Sequence, residues 1–380
     1  MRSLWDYRYL SRCDFRIIPI ILALMGISLL VLSSSSIGAA SDPHEQPFMT
    51  PLVKSQLQWF AIGACVYLFF AGFDYNKLRE WAWVLYGITL LSLIGLFFAP
   101  AIQNVHRWYR IPFLGMNAQP SELAKLVVVI AMSWYLERRG TNHRWSTVFA
   151  AGAIAGIPFL IILKQPDLGT ALVLMPITLV MFYIGDLNPR IIRLGAWAMG
   201  IGLAIIALFF LGIAPHEDLR PYATKIVREY QYNRLKPDHH HHKASTTAIA
   251  VGGITGKGWR EGDFVHGGWL PAAATDSVFS TFGEEFGMVG LLILLALFYA
   301  LIYFSFQVTA VAKDQFGRLL SAGVAVYLSV HVLVNIGMMC GFLPITGVPL
   351  ILVTYGGTSF LATMMALGIL QSIYSRRFMF

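Results

Sequence analysis

The sequence predicts an all-α polytopic membrane protein: about ten transmembrane helices, both termini cytoplasmic, and one long outer loop between helices 7 and 8. Three observations carry that prediction. Of 380 residues, 57% are hydrophobic and 13% charged, where an ordinary soluble domain carries about 25% charged. The apolar residues come as long runs, and mean hydropathy is +0.63. Lys and Arg are spread unevenly about those runs. Together these exclude a soluble globular domain, a disordered chain and a secreted disulfide scaffold. Cys13, Cys65 and Cys340 lie far apart, which gives neither a disulfide nor a metal framework.

A helix crossing roughly 30 Å of hydrocarbon needs about 20 mostly apolar residues. Runs of that kind fall at 17–36, 57–73, 81–99, 121–136, 147–163, 168–185, 191–213, 288–309, 318–340 and 347–374. The first follows Arg2, Arg8, Arg12 and Arg16. Those basic residues, the apolar stretch 17–32 and small residues through Ala40 also resemble a cleavable signal peptide. The stretch is long and nine spans follow it, so it is read as an uncleaved helix. Lys77 and Arg79 mark the turn between the second and third spans. The fourth is the shortest, enters at Pro120 and carries Lys125 in its first turns. Arg138, Arg139 and Arg144 precede the fifth, Asp167 the sixth, and Arg190 and Arg193 the seventh. The ninth follows Lys313 and Arg318 and holds His331, and the tenth starts at Gly347 and ends before Arg376 and Arg377.

With the N-terminus inside, the cytoplasmic segments hold 15 Lys and Arg, and the short outer loops hold only Lys54, Arg107, Arg110 and Lys164. That bias sets the orientation, and it accounts for a net charge of +8. The outer loop 214–287 carries eight Lys/Arg against nine Asp/Glu, so it offers no basic patch for nucleic acid. Its part from Asp218 to Lys236 mixes apolar and basic residues at helical spacing and suits the membrane surface. The run His239 to His242 gives no defined metal geometry and is read as an exposed turn. Gly252 to Gly258 is not a phosphate-binding loop, because Gly258 stands where Ser or Thr is required.

Polar residues at the mouth of a span are costly and therefore informative. On the outer side stand His106-Arg107-Trp108, Gln119-Pro120-Ser121-Glu122 with Lys125, and Gln165-Pro166-Asp167-Leu168-Gly169-Thr170. Glu122 and Lys125 share one helix face, as a neutralising ion pair or as the wall of a polar pocket. Asp167 suits a helix N-cap as well as a site. The same choice holds for Asp276, in Thr275-Asp276-Ser277 before a helix bearing Phe279, Phe282 and Phe286. Gly356 and Gly357 allow close approach of another helix or of a ligand. A charged outer mouth above an apolar, glycine-notched bundle suits an amphiphile with an anionic head and a lipid tail. An enzyme and a transporter both remain open on these grounds.

These runs, with Leu270-Pro271, Gly283-Glu284-Glu285-Phe286-Gly287, Asn335-Ile336-Gly337-Met338, Gly347-Val348-Pro349-Leu350 and Tyr355-Gly356-Gly357, resemble the SEDS family (shape, elongation, division and sporulation proteins) in order along nearly the whole chain. Asn335 to Met338 and Leu343 to Gly347 are more similar to its elongation branch than to its division branch. The resemblance implies one integral membrane domain over 1–380, in the bacterial cytoplasmic (inner) membrane. It implies a peptidoglycan glycosyltransferase that polymerises lipid II beside a class B penicillin-binding protein, a transpeptidase. Asp276 matches the family's proposed catalytic aspartate. Arg107, Gln119, Ser121, Glu122, Lys125, Asp167, Thr275, Gly356 and Gly357 fall where the family meets substrate. The cofactor it suggests is a divalent cation, Mg or Mn, on Asp167 or Asp276. Two departures are plain: Ala272 and Ala274 replace the usual Glu and His beside Asp276.

A division-type polymerase, a flippase for the lipid-linked precursor and a non-catalytic scaffold are the rival readings. A flippase needs charge deep in several spans, whereas here the ionisable residues gather at the outer ends and His331 is the one deep exception, read as a hydrogen-bonded core residue. Retention of Arg107, Lys125, Asp167 and Asp276 together opposes a scaffold.

Overall fold

The computed structural model describes residues 5–36, 47–100, 106–111, 116–139, 145–210 and 240–378. A short 3-10 turn, Tyr7–Arg12, leads into α1 (Ile17–Ser35), α2 (Pro51–Gly72) and α3 (Asn76–Gly95). A two-stranded hairpin follows, β1 (Tyr109–Ile111) and β2 (Met116–Ala118), with Tyr109 opposite Ala118. Then come α4 (Pro120–Arg139), α5 (Trp145–Lys164), α6 (Leu168–Ile184) and α7 (Pro189–Phe210). In the outer loop lie α8 (His240–Gly252) and the single turn α9 (Asp263–His266). The chain closes with α10 (Val278–Val311), α11 (Gln315–Met339) and α12 (Gly357–Ser375). Pro51, Pro120 and Pro189 each open a helix, where the missing N–H has no partner to lose.

Among the described residues, α1, α2, α3, α5, α10, α11 and α12 are long and apolar enough to cross a membrane, and α6 is a shorter apolar helix. The protein is a multi-pass membrane protein. Helix α4 has spanning length too, but Glu122 in its first turn and Arg138 and Arg139 in its last lower its hydropathy.

Helix α11 is the most buried of the spans. At Gly323 a Cβ would stand 3.1 Å from both Val129 Cγ2 of α4 and Met181 Sδ of α6, so three helices meet there on a residue without a side chain. Gly368 of α12 likewise leaves room for Tyr67 O and Phe70 Cβ of α2, each 2.8 Å from the place of a Cβ. At the end of the bundle that charge bias assigns to the cytoplasm, Arg79 of α3 pairs with Glu137 of α4 at 2.9 Å and with Asp314, just before α11, at 2.6 Å.

The structure departs from the sequence expectations in four places. The tenth span is helical only from Gly357; residues 347–356 form an irregular buried segment, because Pro349 lacks an N–H and Gly347 and Leu352 take φ of +80° and +64°. Non-helical backbone survives at this depth because protein surrounds it, with Leu350 to Val353 at most 2% exposed. The eighth span follows directly on the expected helix bearing Phe279, Phe282 and Phe286, the two joined as α10 across a kink at Gly287, whose φ of 61° and ψ of −162° suit glycine alone. The hairpin was not anticipated. The histidine run does not form an exposed turn: from His240 it opens α8, and His241 and His242 are partly buried. The surface segment 218–236 and His239 lie outside the described residues.

Candidate active site at the outer mouth

Asp276 sits in a tight turn between Pro271 and Ser277. Ala272 adopts a left-handed φ of 53°, and its carbonyl accepts from the N–H groups of Thr275 at 2.9 Å and Ser277 at 3.1 Å. Neighbouring elements clamp this turn. Asn335 Nδ2, on α11, donates to Asp276 O at 3.1 Å and to Val348 O at 2.8 Å. Thr354 Oγ1 donates to Thr275 O at 3.0 Å while accepting from Leu350 N at 2.9 Å. The Tyr355 N–H donates to Ala274 O at 3.0 Å. The peptide groups about Asp276 are thus held by α11 and the irregular segment before α12. Its carboxylate stays partly exposed, with Oδ2 3.5 Å from the place a Cβ would occupy on Gly347. The φ of +80° calls for glycine at 347.

The same segment reaches Asp167. Gly169 packs on it so closely that a Cβ would lie 2.7 Å from Thr346 O. Asp167 caps α6 through Thr170 N at 3.3 Å, and also accepts from Gln119 Nε2 at 2.9 Å and Ser121 Oγ at 3.4 Å. Capping and site-building are therefore one arrangement, which ties the start of α4 to the start of α6. Arg107 donates through Nε to Gln165 O at 3.2 Å and through Nη2 to Pro166 O, holding the turn between α5 and α6.

Not every expected ligand faces the mouth. Lys125 is fully buried; its Nζ lies 2.8 Å from Glu122 Oε1, 2.7 Å from His331 Nε2 and 5.5 Å from the Tyr327 ring centre. His331 Nδ1 donates to Tyr327 O at 2.9 Å, which leaves Nε2 to accept from the lysine. Glu122 and Lys125 are thus a buried pair behind the mouth rather than groups that touch a headgroup, because burial requires the carboxylate and ammonium to neutralise each other. Gly357 lies under the Trp59 indole, a packing role. Gly356, by contrast, has open space where a Cβ would stand, and Thr275 keeps a partly exposed side chain. The structure therefore gathers Arg107, Gln119, Ser121, Asp167, Thr275, Gly356 and Asp276 about the outer mouth and sets Glu122, Lys125 and Gly357 behind it. Reading the residues one run at a time missed the clamp made by Asn335 and Thr354, although an Asn within an apolar span was its signal.

Below the mouth lies an apolar cavity of about 740 Å³ between α5, α6, α7 and α11. Gly169 and Thr346 line its outer end, so it finishes one residue from the Gly347 contact with Asp276. Met175, Leu203 and Leu333, also in its wall, are exposed on the apolar outside of the bundle. The cavity therefore opens sideways, toward lipid. Among the described residues no three His, Cys, Asp or Glu side chains gather to hold a metal.

The sequence model of the family described as "Cell cycle protein", which takes in FtsW, RodA and SpoVE, matches residues 15–377. The chain is 30% identical to the peptidoglycan glycosyltransferase MrdB of Escherichia coli K12, covering 99% of this chain and 96% of that protein. It is 31% identical to the probable peptidoglycan glycosyltransferase FtsW of Geobacter metallireducens, covering 98% and 97%. Among solved structures, a chain from a study of the structural coordination of polymerization and crosslinking by a peptidoglycan synthase complex superposes with a TM-score of 0.76 at 25% identity, covering 97% of this chain and 99% of that one. The rod shape determining protein RodA of Thermus thermophilus superposes with a TM-score of 0.69 at 25% identity, over 97% and 98%.

Proposed function

The chain belongs to the cell cycle protein family of FtsW, RodA and SpoVE, and from that premise we propose that it is a peptidoglycan glycosyltransferase polymerising lipid II into glycan strands for cell-wall elongation, in the bacterial inner membrane. The observation that carries the reading is the union of a partly exposed carboxylate, Asp276, with an apolar cavity that ends beside it and opens toward lipid. A polyprenyl chain fits the cavity, and its diphosphate and sugars then lie at the mouth.

In the reaction a sugar hydroxyl of one lipid II attacks the anomeric carbon of the growing chain. The new C–O bond forms as the bond to the diphosphate oxygen breaks, with inversion. Asp276 accepts the hydroxyl proton as general base, a role worth about 10²- to 10⁴-fold in rate. Diphosphate leaves as an anion, so its charge needs stabilising more than protonating. Arg107 is the cation at the mouth, and the Lys125–Glu122 pair lies behind it. Asp167 or Asp276 would hold a divalent cation, Mg or Mn, which would supply further positive charge for the leaving group. The partner this reading calls for is a class B penicillin-binding protein, which crosslinks the product.

Purified protein with its transpeptidase partner, given labelled lipid II and a divalent cation, is expected to give a glycan ladder that Asp276→Ala abolishes while still binding the partner. No ladder from the native complex would overturn the activity, and equal ladders from both would remove Asp276 as base. A division-type polymerase is the second reading, favoured by the 31% identity to an FtsW. Restoring growth of cells depleted of their elongation polymerase, but not of their division polymerase, would separate the two.

A further inference from the structure

His241 and His242, in the first turn of α8, make specific contacts. The imidazole of His241 reaches the residue that follows Asp276, with Nε2 2.7 Å from Ser277 Oγ. A serine hydroxyl has one hydrogen, and Ser277 directs it at Pro271 O, 2.8 Å away. The Ser277 oxygen is therefore the acceptor and His241 Nε2–H the donor. The resulting chain, from Nε2–H to Oγ–H to a carbonyl, braces the turn from residue 277 back to residue 271, and Asp276 lies within it. Ala272, Ala273 and Ala274 bring no polar side chains, so the side-chain bonds that complement the turn's own backbone bonds come from Ser277 and from neighbouring elements. Ser277 is fully buried, so water does not compete for this bond. His242 anchors the same turn of α8 on the end of α11, with Cε1 2.9 Å from the place of a Cβ on Gly341.

We propose that His241 is a positioning residue for glycosyl transfer: its hydrogen bond to Ser277 fixes the turn that aims the Asp276 carboxylate at the incoming sugar hydroxyl, so the seating of outer-loop helix α8 governs catalytic competence. This rests on the polymerase reading. His241 touches neither sugar nor leaving group and acts through Ser277. A base held loosely by about 1 Å costs up to about 10²-fold in rate.

The test uses the full chain with its transpeptidase partner and labelled lipid II, in a set of variants: His241→Ala, His241→Gln, Ser277→Ala, the double His241→Ala/Ser277→Ala, and His240→Ala as an exposed control. His241→Ala is expected to lower kcat about tenfold with KM unchanged, as loss of one buried hydrogen bond at a positioned base implies. Ser277→Ala should match it, and the double variant should fall no further than either single change, because both remove one interaction. Gln, which retains an N–H donor, should recover most of the loss, and His240→Ala should turn over as the native protein does. A native ladder with unchanged kcat in His241→Ala overturns the proposal alone, as do additive losses in the double variant or a Gln variant no better than Ala. Absence of glycan from the native complex overturns the polymerase reading and this proposal with it.

Discussion

Lys125 and Glu122 carry opposite charges where neither has water to fall back on. Removing one partner strands the other, a cost of about 3–5 kcal/mol, whereas replacing both is often near neutral. Lys125→Met and Glu122→Gln should each lower the thermal midpoint in detergent strongly, and the double variant should recover much of it. Asn335 calls for a different readout. Asn335→Leu removes one hydrogen bond to the Asp276 turn and one to Val348 in the segment beside it, so kcat should drop at least about tenfold with KM little changed in the lipid II assay. Away from the mouth, burial, aided by the Asp14 carboxylate and opposed by Arg376, pushes the Cys13 thiol up to about 11. The reactive form is the thiolate, so iodoacetamide should modify Cys13 slowly at neutral pH and faster up to about pH 11, as peptide mapping across a pH series would record. Asp276 and Asp167 were legible in sequence because a carboxylate at a span's mouth needs a reason. The His241 contact was not, since nothing in a run of four histidines shows that a serine 36 positions onward meets one of them.

At the scale of elements, apolarity predicted depth better than it predicted helix. Residues 347–356 are as apolar as a span and as buried as one, yet they run irregularly, because Pro349 and two positive φ angles forbid the helix and Asn335 and Thr354 supply the missing hydrogen bonds. That substitution of side-chain partners for helical ones depends partly on Asn335, on another helix, and periodicity within the segment does not show it. The kink in α10 had a local sign, Gly287, whose meaning depended on what packs there: a Cβ would press on Gly256 N and Ile254 O. Gly287→Ala is therefore expected to unseat residues 253–258 from α10. Limited proteolysis should then cut this loop faster than in the native protein, and an unchanged cleavage rate would contradict the packing.

At the scale of the molecule, some of the glycines lining the cavity face open space. Gly156 of α5 and Gly202 of α7 both border it, and neither would find an atom within 4 Å of a Cβ. A side chain at either position would start into open space. Gly202→Trp should leave the thermal midpoint near native while raising KM for long-chain lipid II, and a short-chain analogue should be affected less. The membrane class followed from composition, while the inside and outside of the bundle were read from charge bias alone. The cavity followed from neither, because it arises between helices that are each unremarkable alone. Its placement also governs traffic. It opens sideways between helices, while Asp276 faces the outer mouth, so the two products of each cycle part along different directions. The spent carrier can drift off within the plane of the bilayer, and the lengthening strand is free to advance toward the wall. Neither exit obstructs the other, and the next lipid II, the acceptor, can arrive through the side door while the strand is still in place.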